Sequence, residues 1–93
     1  MIESFACKET ARVFRGEFSR RFPGALQERA LMKLRQLHRT LAIDQLRVPP
    51  SNRLETLSGN LKGFWSIRIN QQWRILFRWH EGSATEVQIT DYH

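Results

Sequence analysis

The sequence is poor in the residues that cross-link, bind metals or span membranes. It has one cysteine in 93 residues, so no internal disulfide can form. Cys7 and the scattered His38, His80 and His93 offer no zinc-ligand spacing, and neither metal nor other cofactor is expected. Three prolines and five glycines set the chain apart from disordered and collagen-like compositions. Its longest apolar runs, such as Ile75-Leu76-Phe77, are three residues, against roughly 20 for a membrane helix and roughly 7 to 15 for the core of a secretory leader. A soluble, cytoplasmic protein with no membrane partner is expected. Glycine-rich phosphate loops and nucleophile elbows are missing too, which removes support from ATP-dependent and serine- or cysteine-nucleophile chemistry.

What is present describes one small folded unit. Hydrophobic residues make up 41% and aromatics 11%, enough for a single core burying somewhat over roughly 60% of the unfolded chain's surface. Residues 1–93 are therefore read as one domain. Fifteen basic residues against nine acidic ones give +6, and only Lys8, Lys33 and Lys62 are lysines. An arginine-dominated excess suits bidentate phosphate contact and base stacking, which points to RNA or DNA; simple solubility or an acidic protein partner is the bland alternative. Residues 1–50 carry net +5 and residues 51–93 net +1.

Hydrophobic periodicity divides the chain at Val48-Pro49-Pro50-Ser51-Asn52, where paired prolines forbid a continuing helix. Upstream, Leu26, Ala30, Leu34, Leu37 and Leu41 fall on one stripe of a long helix. Arg29 with Lys33 and Arg35 with Arg39 are like-charge pairs at four-residue spacing on its other side, either a solvated face or one that a partner rewards. Cys7, Ala11 and Phe14 mark a shorter helix ending at Gly16, and Met1 to Phe5 a short edge strand. Downstream the period becomes two. Trp65, Ile67 and Ile69, then Trp73, Ile75, Phe77 and Trp79, predict two strands of a hairpin. Glu81-Gly82-Ser83 turns the chain into a further strand from Thr85 to His93, and Arg53 to Leu57 supplies another. The expected fold is α+β, two N-terminal helices packed on one face of an antiparallel sheet. Trp65, Trp73 and Trp79 are assigned to the core. The second face carries Arg68, Arg74 and Arg78 and is expected to be open to water or ligand, because unpaired buried arginines are costly. Removing Arg74 should then cost charge and little packing.

The polar groups on or beside these strands are Glu55, Lys62, Arg68, Arg74, Arg78, Asp91, Tyr92 and His93. They suit metal-free RNA cleavage, which needs a base for the 2'-OH proton, an acid for the departing 5'-oxygen and fixed positive charge for the phosphorane. Strict alternation puts Asp91 and His93 on the face of Val87 and Ile89, and Tyr92 on the other. A bulge, or a strand ending near Thr90, is needed to aim all three at one site.

The run Asn52-Arg53-Leu54-Glu55-Thr56-Leu57-Ser58-Gly59-Asn60-Leu61-Lys62-Gly63-Phe64-Trp65-Ser66-Ile67-Arg68-Ile69, then Trp73-Arg74-Ile75 and Asp91-Tyr92-His93, resembles the RelE superfamily of toxin-antitoxin toxins, HigB (plasmid-maintenance killer) branch. The resemblance spans nearly the whole chain. It implies a RelE-like fold and a ribosome-dependent or free endoribonuclease that cuts mRNA. It also implies neutralisation by a cognate, HigA-like helix-turn-helix antitoxin, through which alone operator DNA would be bound. Arg74 falls on the family's phosphate-stabilising arginine, and Asp91, Tyr92 and His93 on its catalytic end. Where the HigB branch commonly has a histidine and, three residues on, a lysine, this chain has Glu55 and Ser58. Glu55 coincides with the general base of the related YoeB branch and His93 with that branch's general acid. Those roles are implied here, with Arg53, Lys62 and Arg68 binding substrate. Loss of the lysine cation leaves a second reading open, a weak or inactive member that binds RNA, ribosome or partner without cutting.

Overall fold

Leu26, Ala30, Leu34 and Leu37 form the buried stripe of the long helix α2 (Gly24–Arg39). Leu41 does not join them. The helix stops at Arg39 because Thr40 is extended, its hydroxyl donating to the Gln36 carbonyl at 2.7 Å, while the next free N–H, that of Leu41, is taken at 2.8 Å by the Gln45 side chain. Leu41 is left 76% exposed. Before α2 lies the seven-residue helix α1 (Lys8–Phe14), which ends in a turn through Gly16 at φ +81°, a conformation that favours glycine. The computed structural model describes residues 1–91.

After α2, short 3₁₀ turns at Ile43–Arg47 and Pro50–Asn52 carry the chain across the proline break. The sheet follows as β1 (Glu55–Thr56), β2 (Trp65–Arg68), β3 (Trp73–His80) and β4 (Ser83–Asp91), antiparallel throughout in the order β1-β2-β3-β4, with a 3₁₀ turn at Gly59–Leu61 between β1 and β2. The expected α+β architecture is thus present, although β1 has only two residues. The segment expected as an edge strand at Met1–Phe5 is two parallel bridges to β4, Ile2 with Ala84 and Phe5 with Val87. Ile67, Ile75, Phe77, Val87 and Ile89 pack against the stripe of α2 and Val13 of α1, with Trp65, Trp73 and Trp79 partly buried around them. Burying apolar area of this kind, at about 25 cal/mol per Å², is what closes the two layers.

Two features of the sheet set up the site. First, β4 holds an extra residue opposite β3: Leu76 pairs with Gln88 but Arg78 with Thr85, and Glu86 sits at φ +51°. That bulge lets Ala84, Val87 and Ile89 all face the helices; below it β4 alternates regularly as far as Asp91. Second, the face expected to be open is largely covered. Ser66, Leu76 and Arg74 on it are buried, and the Arg78 guanidinium lies 4.3 Å from the centre of the buried Phe64 ring while pairing with Glu86 at 2.9 Å. The connection from β1 to β2 makes this cover, passing so close at Gly63 that a side chain there would meet Arg78 Nη1 at 2.8 Å. Paired guanidinium groups tolerate a covering that unpaired ones would resist.

Candidate active site

Arg74 comes from β3, and its partners come from β2 next to it and from β1 one strand further on. Register pairs Glu55 with Ser66 and Ser66 with Leu76, so β1, β2 and β3 present these residues side by side on the face away from the helices. Arg74 reaches along that row. Its Nη1 donates to Ser66 Oγ at 2.9 Å and lies 3.0 Å from Glu55 Oε1. The two charges differ in exposure, with the Arg74 side chain 9% exposed and that of Glu55 44%. A buried cation in a fixed rotamer, touching a half-exposed carboxylate, gives positive charge that needs little reorganisation and a base that solvent or substrate can reach.

Glu55, Thr56, Leu57, Ser58 and Leu61 line an open depression of about 190 Å³ next to this pair. Its wall is held by the Leu57 N–H bonding the Phe64 carbonyl at 3.0 Å and by the 3₁₀ turn that Ser58 begins. Ser58 therefore does sit beside Glu55, as a small neutral side chain. Lys62 ends the same turn and is exposed.

The other expected site residues go elsewhere. Arg53 and Arg68 line a separate cavity of about 290 Å³ together with Arg29 and Lys33. Asp91 pairs in register with Trp73 whereas Arg74 pairs with Thr90, so Asp91 belongs to the helix-side face. There its Oδ2 accepts from Gln72 Nε2 at 3.1 Å, and it borders a cavity of about 570 Å³ with Cys7, Arg21, Phe22 and Trp73. The bulge that might have turned it is at Glu86, five residues too early. Tyr92 and His93 lie outside the described residues.

Sequence reasoning missed two contributors. Ser66 is fully buried and serves as an acceptor for Arg74; its signal was a small hydroxyl between Trp65 and Ile67, on the face of the arginines. Asn52, at the end of the proline segment, is also fully buried: its Nδ2 donates to the carbonyl of Leu46 at 3.0 Å and to Gln36 Oε1 at 3.2 Å, and its Oδ1 accepts from Lys33 Nζ. As the residue just before Arg53, it ties that stretch of chain to Lys33 and Gln36 of α2.

Residues 3–93 match the model of the family described as RelE-like toxin of type II toxin-antitoxin system HigB. The chain is 45% identical to Toxin HigB-1 of Vibrio cholerae over 65 residues, 70% of this chain and 68% of that protein. Along its whole length, and that of its relative, it is 29% identical to Endoribonuclease HigB of Proteus vulgaris. Among solved structures it resembles a single-residue mutant of YafQ of E. coli, with a TM-score of 0.62 at 15% identity, covering 98% of this chain and 91% of that one. It also resembles the YoeB-YefM complex of Staphylococcus aureus, with a TM-score of 0.60 at 17% identity, covering 100% of this chain and 95% of that one. At such identities these two matches bear on the fold alone. The family model, which spans all but the first two residues, and the HigB relatives together place the protein: the chain belongs to the HigB-like family of RelE-like toxins of type II toxin-antitoxin systems.

Proposed function

We propose that this chain is an endoribonuclease that cuts mRNA on the ribosome, without a metal ion, and that a cognate antitoxin silences it. The observation that carries the reading is the contact between Glu55 and Arg74, 3.0 Å apart on the face of the sheet away from the helices. In the proposed reaction Glu55 takes the proton of a ribose 2'-OH, and the oxygen attacks the adjacent phosphorus. Arg74, held by Ser66, stabilises the charge that develops on the phosphoryl oxygens. The bond to the 5'-oxygen breaks as His93 protonates it. One fragment then ends in a 2',3'-cyclic phosphate and the other begins with a 5'-hydroxyl. Asp91 and Tyr92 complete the proposed catalytic end, and Arg53, Lys62 and Arg68 bind the RNA.

Partners follow from the same reading. YefM accompanies YoeB in the S. aureus complex, and a HigA-like helix-turn-helix protein is the partner proposed here, operator DNA being bound only through it. The site of action is the cytoplasm; among the described residues no helix is long and apolar enough to cross a membrane.

A second reading, a family member that binds ribosome or partner without cutting, draws support from two observations. Asp91 faces the helix side of the sheet, and Ser58 brings no charge to the depression beside Glu55. The deciding assay is a ribosome-bound message in chelator, with one 2'-deoxy substitution at the mapped cut. Cleavage that survives the chelator and stops at the deoxy position supports the proposal; loss in chelator, or cutting of the deoxy position, overturns the mechanism. No cutting of the unmodified message supports the second reading.

A further inference from the structure

We propose that Arg29, Lys33, Arg53 and Arg68 form a second phosphate pocket, separate from Glu55 and Arg74, which holds a phosphate of the RNA strand next to the one being cut. The ligand's identity as RNA rests on the endoribonuclease reading; the pocket itself rests on its own geometry. α2 supplies Arg29 and Lys33 from successive turns, the residue after the Pro50–Asn52 turn supplies Arg53, and the end of β2 supplies Arg68. They surround a cavity of about 290 Å³ whose other walls include Ser51 and Asn70, with no acidic residue among the lining groups.

Three features make this more than a basic surface. Arg68 Nε is buried without a hydrogen-bond partner, the one such side-chain atom among the described residues. Buried donors are nearly always satisfied, and a small turn of the guanidinium, whose residue lines the cavity, would bring this one to an anion's oxygen. Lys33 is half-buried and fixed by Asn52 Oδ1, so its ammonium is positioned rather than free to swing. Burial, and secondarily the charge of Arg29, hold its amine below the ordinary lysine range; a bound anion would reverse that drift. Finally, the arrangement is self-repelling. Arg29 and Lys33 are one helical turn apart, and Arg68 is paired in register with Arg74, both unfavourable for like charges. A phosphate turns that repulsion into attraction.

Position selects a phosphate of the substrate strand over an acidic protein side chain. Arg53 is two residues before Glu55, and Arg68 lies directly across from Arg74. The pocket is therefore one strand pairing away from the proposed cutting site, where a flanking phosphate of the same strand arrives with the scissile one. Four converging cations also exceed what one carboxylate can use, whereas phosphate oxygens accept several charge-assisted bonds at once.

The test is fluorescence anisotropy with single-stranded RNA made uncleavable by 2'-O-methyl groups, measured from 50 to 200 mM salt on the full chain. Each phosphate contact contributes about 0.7 to the slope of log affinity against log salt for a single strand. Arg29→Gln and Lys33→Gln should each flatten that slope, by up to about 0.7, which is about 2.6-fold less affinity lost across this range. Arg29→Lys and Lys33→Arg keep the charge and should keep the slope, which separates loss of a contact from misfolding. A scan of single neutral methylphosphonates should reveal one position that weakens the wild type but adds nothing to the glutamine variants. Unchanged slopes in folded variants, or no such position, overturn the proposal. So does a defect confined to antitoxin binding, which would assign the pocket to an acidic protein surface. Because the readout is binding of uncleavable RNA, it stays interpretable if the wild type proves unable to cut.

Discussion

Arg74→Ala separates what Arg74 does for the reaction from what it does for the fold, and the structure sets both magnitudes. The side chain is 9% exposed, so truncation at Cβ removes two buried methylenes worth about 0.8 kcal/mol each. It also orphans the hydroxyl of Ser66, which is fully buried, at a cost of about 1 to 3 kcal/mol. Loss of the ion pair adds little, since the Glu55 side chain is 44% exposed and its carboxylate rehydrates. The total is about 3 to 4.5 kcal/mol, equivalent to a fall in Tm of about 12 to 36 °C at about 4 to 8 °C per kcal/mol for a domain of this size. Even from a wild-type stability of about 5 kcal/mol, the low end for natural domains, about two-thirds or more of the variant remains folded. Unfolding therefore reduces cleavage by less than about twofold, whereas removing one preorganised charge from a transition state costs about 100- to 1000-fold. The measurement is a cleavage rate at 20 °C per folded molecule, with urea denaturation followed by circular dichroism. A folded variant cutting within about threefold of wild type removes Arg74 from the mechanism. A stability loss below about 1 kcal/mol would refute the buried linkage to Ser66.

Three further outcomes are expected. Glu55→Gln, altering a half-exposed group, should change stability by no more than about 1 kcal/mol yet slow the chemical step by about 100- to 10,000-fold; equal single-turnover rates for variant and wild type on a bound message would exclude Glu55 as the base. Asn52→Ala leaves the Leu46 carbonyl and the Lys33 ammonium without the partner they share, so urea denaturation should show a loss of about 2 to 4 kcal/mol, and a shift under 1 kcal/mol would show that this hub is dispensable. At Cys7 burial raises the thiol pKa, but Thr10, the Glu9 N–H and Arg21, 3.8 Å away, outweigh it and hold the thiol below its ordinary range. The midpoint of its alkylation rate with pH should accordingly lie below that of the urea-unfolded chain, and coincident midpoints would contradict this environment.

The sequence alone determined the parts that periodicity and local stereochemistry control. A 3.6-residue stripe from Leu26 to Leu41, a proline pair and a change to period two are local signals, and they were enough for two helices, a break and an antiparallel hairpin. The resemblance of Asn52–Ile69, Trp73-Arg74-Ile75 and Asp91-Tyr92-His93 to RelE-type toxins was equally local, because motifs are strings. Alternation also placed Arg74 on the face away from the core. Contacts between residues distant in sequence were beyond its reach. Leu41 continues the apolar stripe on paper, yet Thr40 and Gln45 compete for the backbone and end the helix before it. The arginine face reads as open until the loop through Gly63 and Phe64 folds over Arg78. Alternation puts Asp91 on the face of Val87 and Ile89, and only the tertiary structure decides that it stays there, because the bulge that could have turned it toward Arg74 falls earlier, at Glu86. Arg29 and Lys33 meet Arg53 and Arg68 only when α2 packs beside the end of β2. Periodicity specifies which way a residue faces on its own element; register, loop closure and packing decide what it faces, and the charges of this protein acquire their chemistry at that second step.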